Sequence, residues 1–195
     1  MNNAQVESIF RLVNREIWIV TAADGERRGG LAATWVSQAS IDRDKPVVVI
    51  GIAPNHFTAE LIDASQSFAL HLLSREAIEL AWNFALGSGR DRDKLADLAF
   101  TQGVTGSPLL RDALAFLECR VFARLASGDR IYYWADVVAS GQPGSGLPLT
   151  EQQLLTAATD EQKRQLAAGR DADVQWQRPL QAEWRRQLPP DLSPQ

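Results

Sequence analysis

The chain has 195 residues, 45% of them hydrophobic, and a formal net charge of -4 at pH 7. This length predicts one domain with appendages and a sizeable core. The acidic balance argues against a nucleic-acid partner, because phosphate backbones are bound by clustered lysines and arginines. No apolar run approaches the ~20 residues that cross a bilayer, and residues 1–10 show no signal-peptide pattern. We therefore expect a cytoplasmic protein without membrane contact.

A helix and three strands come first in chain order. Residues 5–13 place apolar side chains at helical spacing, which predicts a short amphipathic helix. Residues 16–24 are rich in β-branched and aromatic residues and lead into an Asp-Gly turn, so they form a predicted hairpin with a second strand, 30–40. The continuous apolar run 46–53 predicts a strand buried on both faces.

Short helices alternate with strands in the middle of the chain. A helix is predicted after the third strand, with Asn55 or Thr58 as its cap. Residues 67–73 read as a strand, and residues 74–86 as a helix capped by Ser74.

A helical stretch is also predicted at residues 93–100, and two long strands follow. Residues 113–126 and 130–140 flank a Ser-Gly-Asp turn and read as a hairpin. About six strands with only short helices are typical of a barrel or sandwich rather than of alternating βαβ units.

The composition changes after the last strand. A Gly- and Pro-rich linker leads to a weakly apolar helix at 149–169, and the remainder is polar and Pro-rich, with Trp176 and Trp184 as its large apolar groups. We expect this tail to lie against the domain or a partner subunit, or to be partly disordered. The predicted organisation is a domain over 1–145 and a C-terminal helical and Pro-rich extension over 146–195.

The sequence gives little support for a metal site, a catalytic nucleophile or a phosphate-binding loop formed by the protein itself. The two histidines, His56 and His71, have no cysteine or carboxylate at ligand spacing, which argues against a zinc or iron site. The single cysteine, Cys119, excludes an internal disulfide and reads as a packed thiol. No serine lies in a GxSxG setting, and the Gly-rich stretches lack the context of phosphate loops. This pattern suits a reaction that a bound cofactor carries.

One segment rich in hydroxyl groups and small side chains, ATWVSQAS at 33–40, precedes an acidic residue, a proline and a buried strand. Further motifs follow in order: NHFTAELI, SFALHLL, Phe84 with Asp93-Lys94, LECRV and a Gly-Asp-Arg turn. This ordered set resembles the flavin reductase-like family of FMN-binding split barrels, over about two thirds of the chain. One departure is the stretch Asp42 to Pro46, where the family often has an acidic residue followed directly by two prolines.

The resemblance implies a mainly β fold: an FMN-binding split β-barrel of Greek-key type with about six strands, a few short helices and a C-terminal helical or irregular tail. It also implies FMN as cofactor, NAD(P)H as a substrate, and a homodimer with the flavin near the subunit boundary.

Two segments are implied as cofactor-binding. The first contains Thr34, Trp35, Val36, Ser37 and Ser40. Binding FMN without a Rossmann loop calls for hydroxyl groups and free backbone N–H groups, which this segment supplies. Regular alternation would place Trp35 and Ser37 on one face and Thr34 and Val36 on the other. The alternative is that the segment is simply a polar strand at a sheet edge.

The second segment is the loop with Asn55, His56, Phe57 and Thr58, which in the family approaches the ribityl phosphate. A helix beginning here would also direct its N–H groups at the anion. Alternatively, Thr58 only caps the helix, and His56 is a solvent-exposed loop residue. Lys94 matches a family lysine and would neutralise phosphate, unless it is merely solvated.

Arg130 is the main departure from the family pattern and is our candidate catalytic residue. Many members have Gly-Asp-His at this turn, where this chain has Arg130 after Gly128 and Asp129. A permanently charged guanidinium does not shuttle protons near neutral pH, but it can bind a nicotinamide phosphate or a carboxylate. Trp134 stands where a small residue is usual and would fill space that a nicotinamide needs.

Three functions remain open from the sequence. The first is a reductase that passes hydride from NAD(P)H to FMN and then electrons to free flavin, to a redox partner protein or to another acceptor. The second is an FMN-binding electron carrier or flavin-binding protein that does not use nicotinamide directly. The third is a structural or interaction module with a degenerate site.

Overall fold

The structure is a computed structural model that describes residues 3–188 and 192. Its strands are β1 (Trp18–Asp24), β2 (Arg27–Ala33), β3 (Val36–Gln38), β4 (Val47–Ile52), β5 (Ser67–Leu72), β6 (Phe100–Gln102), β7 (Pro108–Leu110), β8 (Ala115–Ala126) and β9 (Ile131–Gly141). Its helices are α1 (Asn3–Phe10), α2 (Phe57–Ser65), α3 (Ile78–Ala85), α4 (Glu151–Ala157) and α5 (Asp160–Arg186).

Seven strands form one curled sheet in the order β2-β1-β5-β8-β9-β4-β3, and every neighbouring pair is antiparallel. The long β8–β9 hairpin lies near its centre, and β6 and β7 form a separate hairpin. The mainly β, split-barrel prediction is confirmed. The estimate of about six strands omitted the short strands β6 and β7 and merged β2 with β3.

The segment 30–40, predicted as one strand, is two strands that belong to opposite edges of the sheet. β2 pairs with β1 as far as Ala33, whereas β3 begins at Val36 and pairs with β4. Three residue steps from Ala33 to Val36 span at most about 11 Å. The two edges of the sheet therefore come close together here, which curls the sheet into an incomplete barrel. The predicted alternation across residues 34–37 is wrong, because no single ladder runs through them.

Tertiary contacts also overturn the predicted helix at 93–100. Asp93 pairs with Arg28, and its carboxylate accepts the Leu95 N–H at 2.9 Å. Lys94 and Leu95 are buried. Phe100 then enters β6 opposite Leu110. These fixed contacts hold the segment in turns, despite its helix-forming composition.

Two helix caps differ from the predictions. The N-cap of α2 is His56, and Thr58 lies one residue inside the first turn. The N-cap of α3 is Ala77, while Ser74 instead forms a β-bridge with Pro148. Neither helix has a side-chain cap, so packing against the sheet, rather than a local capping bond, sets where each helix begins.

The core has two parts, one inside the curled sheet and one beneath α3 and α4. The inner cluster includes Phe68 and Tyr133, and the outer cluster includes Trp82 and Leu149. Inward and outward residues alternate along β4, so this strand is buried on one face rather than on both as predicted. Leu149 is fully buried and bridges Ile17 and Leu73 through backbone hydrogen bonds of 2.8 Å. The division at 145/146 stays a prediction, and Leu149 beyond it packs in the domain core.

The tail is more regular than predicted. A capping box at Thr159 and Gln162 starts α5, which continues through Pro179 to Arg186. Trp176 is exposed and Trp184 is half-buried. The final Pro-rich residues, 189–191 and 193–195, lie outside the described residues. None of the described helices combines the length and apolar character needed to cross a membrane.

His71 is a core histidine with a hydrogen-bond partner at each ring nitrogen. Its Nε2 accepts the Leu110 N–H, and its Nδ1 lies 3.2 Å from the Ile19 carbonyl oxygen. This arrangement requires the neutral ring with a proton on Nδ1. Burial, with a smaller opposing effect from the Ile19 carbonyl and Glu118, lowers the pKa of His71 from 6.5 to about 4.

We predict that His71 makes the fold acid-sensitive between pH 6.5 and about 4. In this window the unfolded chain binds a proton at residue 71 and the folded chain does not, so the free energy of unfolding falls as the pH falls. One proton corresponds to a slope of about 1.4 kcal/mol per pH unit. Urea denaturation across this range measures the slope.

The chain's only other histidine, His56, provides the control. His56→Gln should retain the slope between pH 6.5 and 5, and His71→Gln should flatten it. Equal slopes in the two variants would contradict the assignment.

Candidate functional site

A pocket of about 440 Å³ lies where the chain passes from β2 to β3, and we call it the crossing pocket. Its lining residues are Arg15, Glu16, Thr34, Trp35, Val36, Ser37, Val49, Ile50, Gly51 and Tyr132. Four of the five predicted residues of the first segment are therefore brought together. Ser40 lies outside this lining, and its hydroxyl accepts the Asp42 N–H at 3.1 Å.

Gly51 and Tyr132 of this pocket were missed by sequence reasoning. A Cβ at position 51 would lie 3.1 Å from the Trp35 ring and 3.2 Å from the Tyr132 ring. The two rings therefore pack against the bare Gly51 backbone, closer than a side chain at this position would allow. A glycine inside an apolar strand is the signal that could have indicated this close approach.

The second predicted segment leads away from the crossing pocket towards α2. Asn55 and His56 both contact Asp173 of α5. Thr58 is only 2% exposed, and its hydroxyl hydrogen-bonds to no described residue. The N–H groups of Phe57 and Thr58 begin the helix and so have no acceptor within it. The start of α2 thus has unused hydrogen-bonding capacity.

Beside the start of α2 lies a second pocket of about 390 Å³, which we call the arginine pocket. Its lining residues are Glu26, Arg27, Arg28, Phe57, Gly89, Arg90, Asp91, Arg92 and Asp93. A Cβ at Gly29 or Gly89 would meet the Phe57 ring at 3.1 or 2.8 Å, so the ring lies between two glycine-bearing backbones. The Arg90 guanidinium lies over the same ring, 5.9 Å from its centroid.

Four arginines face three carboxylates around this pocket. Arg28 pairs with Asp93, and Arg90 pairs with Glu60. The Arg92 guanidinium bonds instead to Asn83 and to backbone carbonyl oxygens. Sequence reasoning missed the cluster because the arginines lie in two distant runs, 27–28 and 90–92, and only the fold joins them.

Lys94 lies close to these arginines in sequence but is buried. Its Nζ donates to the Phe84 carbonyl oxygen at 2.9 Å. Burial, and to a lesser degree the nearby Arg92, lowers the pKa of Lys94 to about 8. The role of Lys94 in neutralising phosphate stays a prediction, and its hydrogen bond to Phe84 anchors the end of α3.

Arg130, the candidate catalytic residue, lies beside the crossing pocket. Its guanidinium carbon is 4.7 Å from the centroid of the Trp35 ring. Its Nη1 donates to the Asp129 carbonyl oxygen at 2.6 Å and to Gln177 Oε1 at 2.7 Å. Trp134 stacks at a tilt near Tyr132, with the ring centroids 6.4 Å apart. A cationic group and aromatic rings therefore border the crossing pocket beside Gly51.

Two other sequence-based assignments concern Cys119 and metal binding. Burial, assisted by Glu118, raises the pKa of the Cys119 thiol to about 12, which keeps it protonated. Within residues 3–188 and 192, no group of three or more histidine, cysteine or acidic side chains could hold a metal ion.

Comparison with known proteins identifies the family. The model of the flavin reductase like domain matches residues 10–153. The chain belongs to this family. The matched region contains the crossing pocket, the arginine pocket and Arg130, whereas α5 lies beyond it.

Relatives of this flavin reductase-like chain include longer flavoproteins. It is 28% identical over 136 residues to diflavin flavoprotein A 1 of Synechocystis sp., a match that covers 69% of this chain and 23% of that protein. It is 30% identical over 162 residues to the high molecular weight rubredoxin of Moorella thermoacetica, which covers 80% of this chain and 70% of that protein. The chain thus spans about a quarter of the diflavin flavoproteins it matches.

A solved structure shows the same fold at low identity. The NADH:FAD oxidoreductase of Streptomyces globisporus C-1027 superposes with a TM-score of 0.65 and 21% identity, over 72% of this chain and 83% of that one.

Proposed function

We propose that this protein is a cytoplasmic oxidoreductase that binds FMN and passes hydride from NAD(P)H to that flavin. The observation that carries the proposal is the crossing pocket, which is lined by the Trp35 and Tyr132 rings and by hydroxyl-bearing side chains. Its volume is within the range of about 300–1,000 Å³ that is usual for cofactor sites.

The residues around this pocket fit a flavin. Val36, Val49 and the two aromatic rings offer apolar surface to an isoalloxazine, while the Thr34 and Ser37 hydroxyls offer hydrogen bonds to its polar edge. A few placed polar groups in a mainly apolar pocket are what fixes the orientation of a bound cofactor. These residues are the proposed ring-binding set.

The arginine pocket is suited to bind the phosphate group of FMN. Gly51 lines the crossing pocket and Phe57 lines the arginine pocket, so the short loop between them joins the two. At the second pocket a phosphate would meet guanidinium groups and the start of α2, whose first N–H groups have no acceptor within the helix. In this arrangement Asn55 and His56 lie between the ring and phosphate ends.

When bound, FMN would supply the capacity to accept a hydride and to pass electrons onward. The protein's part is to bind, orient and shield. A guanidinium does not shuttle protons near neutral pH, but the Nε and Nη2 atoms of Arg130 hydrogen-bond to no described residue. These donors are available for an anionic group of the flavin or nicotinamide.

The nicotinamide step has one competing proposal, an FMN-binding electron carrier that does not use NAD(P)H directly. The position of Arg130 over Trp35 and the bulk of Trp134 beside Tyr132 favour it, because both reduce the space for a nicotinamide ring. The fold shared with an NADH:FAD oxidoreductase supports the reductase. The rubredoxin name of the Moorella relative supports a redox partner protein in either case.

Stopped-flow mixing of the FMN-loaded protein with NADH and NADPH decides between the two proposals. We expect bleaching of the visible absorbance of the oxidised flavin with at least one nicotinamide. Bleaching by dithionite serves as the positive control. Loss of the absorbance with dithionite but with neither nicotinamide would leave the electron carrier as the function.

The phosphate position predicts a difference between FMN and riboflavin, which lacks the phosphate. We expect Arg90→Ala to raise the Kd for FMN about tenfold, equivalent to about 1.4 kcal/mol, and to leave the Kd for riboflavin within twofold. Quenching of flavin fluorescence on titration measures both constants.

Arg178→Ala, which removes an exposed arginine of α5, is the matched control and should change neither constant. Equal weakening of FMN and riboflavin binding by Arg90→Ala would place the phosphate elsewhere.

We also propose a homodimer. Phe122 and Val138 are exposed on the central hairpin, with 58% and 42% of their surfaces accessible, and their burial would favour association. Light scattering should give twice the chain mass of 21.5 kDa. A monomer at micromolar concentration would refute this proposal.

A further inference from the structure

Helix α5 lies outside the matched family domain and yet reaches the candidate site. The family match ends at residue 153, and α5 begins at Asp160. Its contacts with the site come from Asp173, Gln177 and the Leu180–Gln181 backbone. Residues at these spacings share one face of a helix. We call this set the C-terminal clamp.

Gln177 is the centre of the clamp. It is 5% exposed, although most of α5 around it is open to solvent. Its Oε1 accepts from Arg130 Nη1 at 2.7 Å, and its Nε2 donates to Asn55 Oδ1 at 3.4 Å. One buried amide therefore joins the β8–β9 turn to the loop before α2.

Asp173, one helical turn earlier, holds the same loop through its two carboxylate oxygens. Oδ1 accepts from Asn55 Nδ2 at 2.7 Å, and Oδ2 lies 3.0 Å from His56 Nε2. A carboxylate is a stronger acceptor than a neutral amide oxygen. With both of its side-chain polar atoms bonded to α5, Asn55 has one orientation.

The C-terminal clamp packs against Gly128. This residue has φ +85°, and a Cβ there would lie 2.6 Å from the Leu180 carbonyl oxygen and 2.7 Å from the Gln181 backbone. The turn and the helix thus touch backbone to backbone, which only glycine permits. Such a close backbone contact indicates that α5 packs specifically against this turn.

We propose that Gln177 and Asp173 are positioning residues of the flavin site. Gln177 holds the Arg130 guanidinium over Trp35, and together with Asp173 it orients Asn55 and His56. The inference rests on the proposed function for its flavin part. Neither clamp residue needs to touch the cofactor, since each acts through a residue that borders the crossing pocket or joins it to the arginine pocket.

The physical benefit is preorganisation. An arginine side chain on a surface turn loses rotamer entropy when it is fixed. When a buried amide already holds the side chain by a hydrogen bond, this entropy is lost before the ligand binds and does not oppose binding. A clamp of this kind tightens binding, whereas a helix that merely covers the site would weaken it. The two roles predict opposite effects of the same substitution.

Hydrogen–deuterium exchange on the flavin-free full chain tests the clamp itself. For Gln177→Ala we expect at least threefold faster exchange in both 53–58 and 127–130. The matched control is Gln175→Ala, which removes an exposed glutamine two residues away on the same helix and should behave as wild type. Unchanged exchange in Gln177→Ala would overturn the proposal.

Gln177→Glu separates the two connections. Its carboxylate still accepts from Arg130 but no longer donates to Asn55, so 127–130 should keep wild-type exchange while 53–58 exchanges faster. Wild-type exchange at 127–130 in this variant would not follow from general destabilisation of α5, because that would speed exchange in both segments. Equal loosening of both segments would refute the assigned contacts.

FMN titration then measures the consequence for the site. We expect Gln177→Ala and Asp173→Ala each to raise the Kd for FMN about fivefold to tenfold relative to Gln175→Ala. Tighter FMN binding would identify α5 as an obstructing lid, and an unchanged Kd would show that the clamp does not position the site. Absence of FMN binding by the wild type would refute the proposed function, while the exchange data would still decide whether α5 holds Arg130 and Asn55.

Discussion

The short connection between β2 and β3 is the constraint on which the rest of the structure depends. Ala33 and Val36 belong to opposite edges of a seven-stranded sheet, and so few residues cannot span a flat sheet of that width. The sheet has to curl until its edges approach. The crossing pocket forms at this closure, with Thr34 and Trp35 in its wall. Fold and candidate site therefore share one cause.

Closure also explains how distant residues reach the site. The curled sheet brings β4 and β9 beneath the crossing, which places Gly51 and Tyr132 against Trp35. The turn that ends β8 then delivers Arg130 to the same ring. Helix α5, beyond the family domain, adds a second layer of contacts through Gln177. The family domain is thus followed by a helix that contacts Arg130.

Local sequence patterns predicted secondary structure well where one interaction dominates. Hydrophobic runs and turn dipeptides placed β1, β5 and the β8–β9 hairpin within a few residues, because cross-strand pairing follows side-chain pattern there. Prediction failed where tertiary contacts compete with propensity. Asp93, bonded to Arg28 and to the Leu95 N–H, holds a helix-forming segment in turns. Pro179 suggested an irregular tail, yet α5 continues through it on the strength of its contacts with the domain.

The sequence by itself determined the fold class, the family and the first segment of the candidate site, because those depend on residue order along short stretches. Tertiary structure alone decided that β2 and β3 lie at opposite edges, that two arginine runs meet beside Phe57, and that Gln177 reaches Arg130. Each of these depends on contacts between residues far apart in the chain. Such contacts are set by how the whole sheet curls and packs, which no local pattern of side chains records.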